Sequence, residues 1–269
     1  METFSASKIL LHTKSTLDHL CVLEETTSTN DTVFDVVQAS DSNVSVALAR
    51  YQSKGRGRQG KVWESPKGGI YLSLALKPKL AQKYWPALSY ACVLAVLEVL
   101  SSYSDKLRIK WPNDLVFNDC GEIKKVSGIL LESHRKFGQA LLICGVGINL
   151  EAQSFRQNNP NALAPISLEE ISEHPRYDDV NVLVARLIDT LVSYIDKQSF
   201  SEEEFSSLYH KYNTYLIWKD EAVVLRNNVG EEVASGLLRG LNSSGALELY
   251  DGKQTLQIHA GTLSLRKKG

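Results

Sequence analysis

Two long apolar segments near the middle of the chain constrain its fold more than any other feature. Residues 125–133 and 139–150 are rich in Ile, Leu and Val, and only the mostly polar residues 134–138 lie between them. Apolar runs joined by so short a connection are typical of adjacent β-strands. The sequence therefore predicts a β-hairpin at this point, and the chain must fold around a sheet that contains it.

Up to Tyr215, the remaining patterns predict helices and strands in irregular alternation. After Tyr215, they predict short strands only. Five short β-rich segments separated by turn residues follow Tyr215, at the spacing of a small barrel. About fifty residues are too few for a large core, so we expect this barrel to dock on the preceding part. We predict an α+β fold, with a mixed β-sheet flanked by helices in residues 1–215 and a small barrel in residues 216–269. The predicted helices cover residues 31–39, 85–101, 180–197 and 201–212, and the predicted strands cover residues 44–51, 70–76, 107–111, 115–117, 125–133, 139–150, 222–225, 233–241, 246–250, 255–258 and 262–265.

Charge and composition argue against several classes of protein. The chain has 30 Lys and Arg against 31 Asp and Glu, whereas a non-specific nucleic-acid binder normally has an excess of basic residues. Residues 1–14 contain no basic segment before their short apolar run, so we expect no signal peptide. No apolar stretch is expected to reach the ~18 residues that span a bilayer. The four cysteines are dispersed and the histidines lack metal-ligand spacing, so we predict a cytoplasmic protein without a structural metal.

Three glycines alternate with two arginines in the segment Gly55-Arg56-Gly57-Arg58-Gln59-Gly60. Glycine allows close approach of a ligand, and arginine presents a fork of donors to carboxylate or phosphate. The segment could be a P-loop, a basic nucleic-acid segment or the ligand loop of another nucleotide-using enzyme. Val62 stands where a P-loop needs a hydroxyl, and turn residues follow instead of a helix, so the P-loop alternative is disfavoured. The near-zero net charge of the chain argues against a basic nucleic-acid segment.

Four further segments do not identify a site when each is taken alone. Ser28-Thr29-Asn30 could cap a helix, and Lys110-Trp111-Pro112-Asn113-Asp114 could form a β-turn. Lys125-Val126-Ser127-Gly128 could be a solvated strand end. The segment Gly145 to Leu150 resembles a dinucleotide fingerprint, but Leu150 stands where the third glycine belongs and no helix follows.

In this order, however, the segments resemble those of biotin protein ligases, the enzymes that attach biotin to a lysine of a carrier domain and are also called holocarboxylase synthetases. The resemblance covers nearly the whole chain. It is carried by Ser28-Thr29-Asn30, Gln52 with the glycine–arginine segment, Trp63, the segments 110–115, 125–132 and 145–150, and the tail that ends in Leu263-Ser264-Leu265-Arg266.

The resemblance implies a catalytic domain like that of class II aminoacyl-tRNA synthetases and an SH3-like C-terminal barrel. It implies a ligase that forms biotinyl-5′-AMP from biotin and ATP with Mg²⁺, and then biotinylates a carrier domain such as that of acetyl-CoA carboxylase. Only 27 residues precede Ser28, too few for the DNA-binding module of some relatives. We therefore expect the monofunctional type, with no DNA or membrane partner, as a monomer or weak homodimer.

The family's functional residues carry over to matching positions of this chain. The resemblance implies catalysis by Arg58, Lys125 and Asp114, with Mg²⁺ held mainly by ATP near Asp114. Biotin would be bound by Ser28, Thr29, Asn30, Gln52, Arg56, Gly57, Arg58, Trp63, Lys125, Gly128 and Gly145, and ATP by Arg56, Arg58, Lys110, Asn113, Asp114, Lys125 and Asn149. No tryptophan occurs in residues 151–165, where some relatives stack one on adenine, and Phe155 is an alternative for that contact. A lipoate ligase and a non-catalytic biotin sensor remain as alternative functions.

Overall fold

The structure is a computed structural model that describes residues 3–40, 42–136, 139–152, 163–173, 179–197, 200–259 and 263–268. Phe155 lies outside these residues, and so does most of the segment 151–165, for which the resemblance suggests an adenine contact. The helices are α1 Ala6–His12, α2 Thr29–Ala39, α3 Trp85–Leu100, α4 Leu168–Ile171, α5 Val180–Ile195 and α6 Glu202–Tyr215. The strands are β1 His19–Leu23, β2 Val44–Ala49, β3 Gly69–Leu76, β4 Leu107–Lys110, β5 Asp114–Asp119, β6 Glu122–Lys136, β7 Gln139–Asn149, β8 Ala222–Arg226, β9 Glu232–Leu241, β10 Leu247–Tyr250, β11 Thr255–Ile258 and β12 Ser264–Lys267.

The predicted hairpin is present and belongs to a seven-stranded mixed sheet in the order β1-β2-β3-β7-β6-β5-β4. Strands β6 and β7 pair antiparallel from Ser127 and Ile148 to Lys136 and Gln139. Among the strand pairs described for this sheet, β1 and β2 are parallel and the other five pairs are antiparallel. Strand β7 is apolar on both faces because helices cover both faces of the sheet. Val33 and Val37 of α2 pack on one face, and α3 packs on the other face. The predicted α+β class is confirmed.

Helix α3 is apolar on nearly every side because it lies in the core, in contact with α5, α6 and the sheet. Residues Gln82–Leu100 do reach the length and composition of a membrane span, contrary to the expectation from the sequence. However, 72% of the apolar window of this segment is buried inside the protein. The apolar composition of the helix is therefore accounted for by its packing.

The second sheet has the order β11-β10-β9-β8-β12, and each of its strand pairs is antiparallel. It packs on the helices of the first part. Tyr90 Oη of α3 donates to the carbonyl of Gly245 at 3.1 Å. Asn213 of α6 donates to the carbonyl of Leu241 at 2.8 Å and accepts from the amide of Leu241 at 2.7 Å. Buried residues of both sheets form one hydrophobic cluster, as expected for a module too small for a large core of its own.

Three elements were not predicted from the sequence: α1, β1 and α4. Helix α1 has seven residues and buries only Ile9, so its sequence pattern is weak. It is held by tertiary contacts, since it packs on α5 and the amide of Ser5 donates to Asn181 Oδ1 at 2.8 Å. Short helices depend on such packing for most of their stability.

Candidate active site

A cavity of about 1160 Å³ lies between the seven-stranded sheet, the glycine–arginine loop and the second sheet. The structure brings every site residue expected from the sequence to this one cavity, although up to 121 positions separate them in the chain. These residues are Ser28, Thr29, Asn30, Gln52, Arg56, Gly57, Arg58, Trp63, Lys110, Asn113, Asp114, Lys125, Gly128, Gly145 and Asn149.

The Ser28-Thr29-Asn30 segment begins α2, but its side chains do not cap the helix. Ser28 occupies the N-cap position without a side-chain capping hydrogen bond. Instead, Gln52 Oε1 accepts from the Thr29 amide at 2.8 Å and from Thr29 Oγ1 at 3.1 Å, while Gln52 Nε2 donates to Ser65 Oγ at 2.8 Å. The capping alternative thus fails for these hydroxyls, and the three side chains are buried at what we call the polar end of the cavity.

Asn30 completes the polar end. Its Nδ2 donates to Glu132 Oε2 at 2.6 Å, and Ser73 Oγ lies 2.5 Å from its Oδ1 and 2.7 Å from Thr29 Oγ1. Gly145 is needed here because a Cβ at this position would overlap Asn30 Oδ1. The result is a compact set of neutral donors and acceptors next to the cavity.

Trp63 forms an apolar wall between the two ends of the cavity. Its indole lies over Gly128 and Gly147, which are paired across β6 and β7. A Cβ would come within 2.8 Å of the ring at position 128 and within 2.5 Å at position 147, so side chains are excluded at both. Lys125 Nζ lies 4.8 Å from the centre of the Trp63 ring, a distance at which a cation is attracted to an indole.

The opposite end of the cavity, the charged end, is a cluster of cations around Asp114. Lys125 Nζ lies 2.6 Å from Asp114 Oδ1, and Lys110 Nζ lies 4.0 Å from Asp114 Oδ2. Burial alone would raise the pKa of Asp114, but Lys125, Lys110 and Arg58 outweigh burial and hold this pKa below its ordinary value. Lys110 is 3% exposed, and burial lowers its pKa to about 7. Burial also lowers the pKa of Arg58, with the charge of Asp114 opposing the shift.

Asn113 connects this cluster to the central hairpin. Its Nδ2 donates to the carbonyl of Ile129 on β6, and its backbone carbonyl accepts from the Ile129 amide at 3.0 Å. Its Oδ1 accepts from Arg58 Nη1 at 3.4 Å. The glycine–arginine loop is therefore joined to the sheet through Arg58. The loop contains a short 3-10 turn at Arg58–Gly60 and leads to β3 instead of a helix, which agrees with the argument against a P-loop.

Comparison with known proteins identifies the family. Residues 22–149 match the sequence model of the biotin/lipoate A/B protein ligase family. The chain is 31% identical over 265 residues to the bifunctional ligase/repressor BirA of Escherichia coli, which covers 96% of this chain and 78% of that protein. The chain belongs to the biotin/lipoate A/B protein ligase family.

Other relatives agree with this membership. The biotin--[acetyl-CoA-carboxylase] ligase of Paracoccus denitrificans is 29% identical over 234 residues, which cover 85% of this chain and 92% of that protein. The structure of the Aquifex aeolicus biotin protein ligase in complex with biotin and ATP has a TM-score of 0.75 and 28% identity. That likeness covers 94% of this family member and 100% of the solved chain.

The two loop arginines of this family member have different neighbours. Arg58 lies at the charged end, whereas Arg56 lies at the polar end. Arg56 donates through Nη1 and Nη2 to the two carboxylate oxygens of Asp31, at 2.5 and 2.7 Å, and its Nη2 is 3.8 Å from Glu132. That both arginines enclose the same anion stays a prediction. In this structure the guanidinium of Arg56 is already paired with Asp31.

Several lining residues of this family member were not expected from the sequence. The second sheet contributes Arg226, Arg266 and the hairpin tip of residues 227–230 to the cavity. Burial lowers the pKa of Arg266, and the negative charge of Asp114 opposes the shift. Gly147, which belongs to the glycine pattern of residues 145–150, lies directly beneath the indole of Trp63. In the predicted hairpin Gly147 lies opposite Gly128, and this pairing of two glycines is the feature from which its place in the site could have been inferred.

Asn149 holds the strand that carries Lys125. Its Nδ2 donates to the carbonyl of Lys125 at 3.1 Å and to that of Ile166 at 3.4 Å. Its Oδ1 is buried and has no partner among the residues that the structure describes. In the same described residues, no group of three His, Cys, Asp or Glu side chains is arranged to hold a metal ion.

Proposed function

We propose that this chain is an ATP-dependent biotin protein ligase that activates biotin as biotinyl-5′-AMP and transfers it to a lysine of a carrier domain. One observation carries the proposal: a single cavity joins an end lined by hydroxyl and amide side chains to a cluster of cations around Asp114, with the indole of Trp63 as an apolar wall between them. Biotin combines a neutral ureido ring, an apolar chain and a carboxylate. It would therefore span from the polar end to the charged end, where ATP would lie.

In the first step, a carboxylate oxygen of biotin attacks the α-phosphorus of ATP. A bond forms between them, the bond from the α-phosphorus to the bridging oxygen breaks, and pyrophosphate leaves with the electron pair. Negative charge increases around the phosphorus in this step, so fixed cations lower the barrier. Lys125 and Arg58 would supply these charges, and Lys110 would contact the nucleotide phosphates.

The Mg²⁺ of ATP fits this arrangement. Asp114 is the carboxylate of the cation cluster, and its Oδ1 is already 2.6 Å from Lys125. Mg²⁺ is commonly bound by one or two carboxylates together with substrate phosphates. We therefore assign most of the Mg²⁺ coordination to ATP, with Asp114 as the nearby protein group.

In the second step, the ε-amine of the acceptor lysine attacks the acyl carbon of biotinyl-5′-AMP. The new carbon–nitrogen bond replaces the acyl–phosphate bond, AMP leaves, and the amine loses a proton. Its neighbouring cations hold the pKa of Asp114 below the ordinary value, which makes this carboxylate a weak base. Asp114 would therefore orient the incoming amine more than deprotonate it.

Several finer properties belong to the same proposal. The acceptor would be the biotin carboxyl carrier domain of a carboxylase, and the Paracoccus relative is named for acetyl-CoA carboxylase. Residues 1–215 would form the catalytic domain and residues 216–269 an SH3-like barrel. The four cysteines are free, which suits a reducing cytoplasm. We propose a monomer or weak homodimer that acts without DNA.

Biotin-dependent exchange between ATP and labelled pyrophosphate tests the proposal, because only reversible adenylate formation produces it. We expect exchange with biotin and Mg²⁺, none with lipoate, and label transfer from biotin to a carrier domain but not to its Lys→Arg variant. Exchange with lipoate alone would favour the lipoate ligase. Biotin binding without exchange would favour the sensor.

A further inference from the structure

Glu132 of β6 lies behind the polar end of the cavity and does not line the cavity itself. Its Oε2 accepts from Asn30 Nδ2 at 2.6 Å, and Arg56 Nη2 is 3.8 Å from the same oxygen. Asn30 does line the cavity and is 6% exposed. Any influence of Glu132 on a bound ligand would thus pass through Asn30.

An ionised carboxylate can only accept hydrogen bonds. The carboxylate of Glu132 therefore determines which group donates in each hydrogen bond of Asn30, Ser73 and Thr29. Because Glu132 accepts, Asn30 must turn Nδ2 towards it and Oδ1 towards Ser73. Asn30 Oδ1 can also only accept, so the hydroxyl of Ser73, 2.5 Å away, must donate to it. Ser73 has a single proton and is fully buried, which leaves it none for Thr29 Oγ1 at 2.7 Å.

Thr29 Oγ1 is then a donor inside the protein, either to Ser73 or to Gln52 Oε1 at 3.1 Å. In both cases Thr29 Oγ1 receives no proton from these neighbours and keeps its lone pairs for a ligand. If the amide of Asn30 were reversed, Ser73 would accept from Asn30 and donate to Thr29 instead. One acceptor position at the polar end would be lost.

We propose that Glu132 is a positioning residue that sets the polarity of the polar end, so that Thr29 and Asn30 accept from the N–H groups of a cyclic urea. This inference rests on the proposed function, since the ureido ring of biotin is such a group. The orientation of the Asn30 amide that Glu132 imposes would favour a ring whose N–H groups donate hydrogen bonds to Thr29 and Asn30. A ring that can only accept hydrogen bonds would bind less well.

The variant Glu132→Gln tests this role because an amide can donate as well as accept, which permits the reversed Asn30 amide. We expect the KM for biotin in the exchange assay to rise about tenfold, the effect of one lost hydrogen bond, with kcat and the KM for ATP within about twofold of the wild type. Glu122→Gln is the matched control. It makes the same change on the same strand, at an exposed side chain that pairs with Lys124 at 2.8 Å, and should leave the KM for biotin unchanged.

The double variant Glu132→Gln with Asn30→Asp separates polarity from simple loss of a contact. The amide introduced at position 132 would donate to the carboxylate introduced at position 30, whose other oxygen would still accept from Ser73. The original direction is restored, so we expect the KM for biotin to return to within about threefold of the wild type. Thermal unfolding followed by circular dichroism shows that each variant is folded.

Each result bears on the inference in one direction. An unchanged KM for biotin in folded Glu132→Gln would overturn it, and so would a double variant whose KM stays about tenfold high. If Glu132→Gln does not fold, the double variant alone decides by the same criterion. The absence of biotin-dependent exchange in the wild type would instead refute the proposed function. The wild-type assay thus separates failure of the proposed function from failure of the inference about Glu132.

Discussion

Replacing Lys110 with methionine should stabilise the fold and impair the proposed reaction. Lys110 is buried at the charged end, and burial lowers its pKa from 10.5 to about 7. Between about pH 7 and pH 10.5, Lys110 is protonated in the unfolded chain and largely deprotonated in the folded protein. The free energy of unfolding of the wild type therefore rises with pH in this range. The shift corresponds to a cost of about 4 kcal/mol at pH 7 and about 2 kcal/mol at pH 9. Methionine has a similar length and carries no charge, so it removes this cost.

Urea unfolding at pH 7 and at pH 9 measures the effect. We expect Lys110→Met to be more stable than the wild type by up to about 4 kcal/mol at pH 7, and the gain to fall by about half at pH 9. The reasoning would be refuted by a variant that is less stable at pH 7, or by a gain that does not change with pH.

The functional cost of the same substitution is measured on the nucleotide. Phosphate charge near Lys110 would raise its pKa again, so the wild type should take up as much as one proton on binding ATP at pH 8. Lys110→Met should show no such uptake and a KM for ATP about tenfold higher. Calorimetry in two buffers of different ionisation enthalpy detects the proton. Equal uptake by the wild type and the variant would assign the proton to another group.

Three further substitutions test the remaining parts of the cavity. Lys125→Met should slow biotin-dependent pyrophosphate exchange by about 10²–10³-fold, because it removes a fixed charge from the reacting phosphate, and near-normal exchange would contradict that role. Gly147→Ala places a Cβ 2.5 Å from the indole of Trp63, so the KM for biotin should rise about tenfold and unfolding should become easier by about 1–3 kcal/mol, as urea titration would detect. Arg266→Gln should raise the KM for ATP by about tenfold and leave the KM for biotin unchanged. Equal changes in both constants would place this arginine outside the nucleotide site.

The local elements were predictable because their patterns are strong over many residues. The hairpin of β6 and β7 and the helices α3, α5 and α6 have long apolar runs or clear periodicity, and their predicted bounds lie within a few residues of the observed ones. Helix α1 and strand β1 were missed because each is short and depends on contacts with residues far along the chain. The candidate site residues were predictable through the resemblance to biotin protein ligases, since each segment taken alone did not identify a site.

Several properties of the site depend on distances that no local pattern contains. The sequence places Arg56 and Arg58 two positions apart, yet the fold pairs Arg56 with Asp31 and directs Arg58 to Asn113. Likewise, Glu132 is 102 positions from Asn30, and only the packing of α2 on the sheet brings them to 2.6 Å.

Sequence patterns were sufficient to predict the fold class, the hairpin and the residue types available for the proposed reaction. The tertiary structure decided which of these groups are buried, which are paired and which way their hydrogen bonds point. The lowered pKa of Lys110 and the contribution of Arg266 from the second sheet are the clearest examples. The physical reason is that desolvation and electrostatic interaction depend on the whole surroundings of a group, and those surroundings come from segments that meet only when the chain has folded.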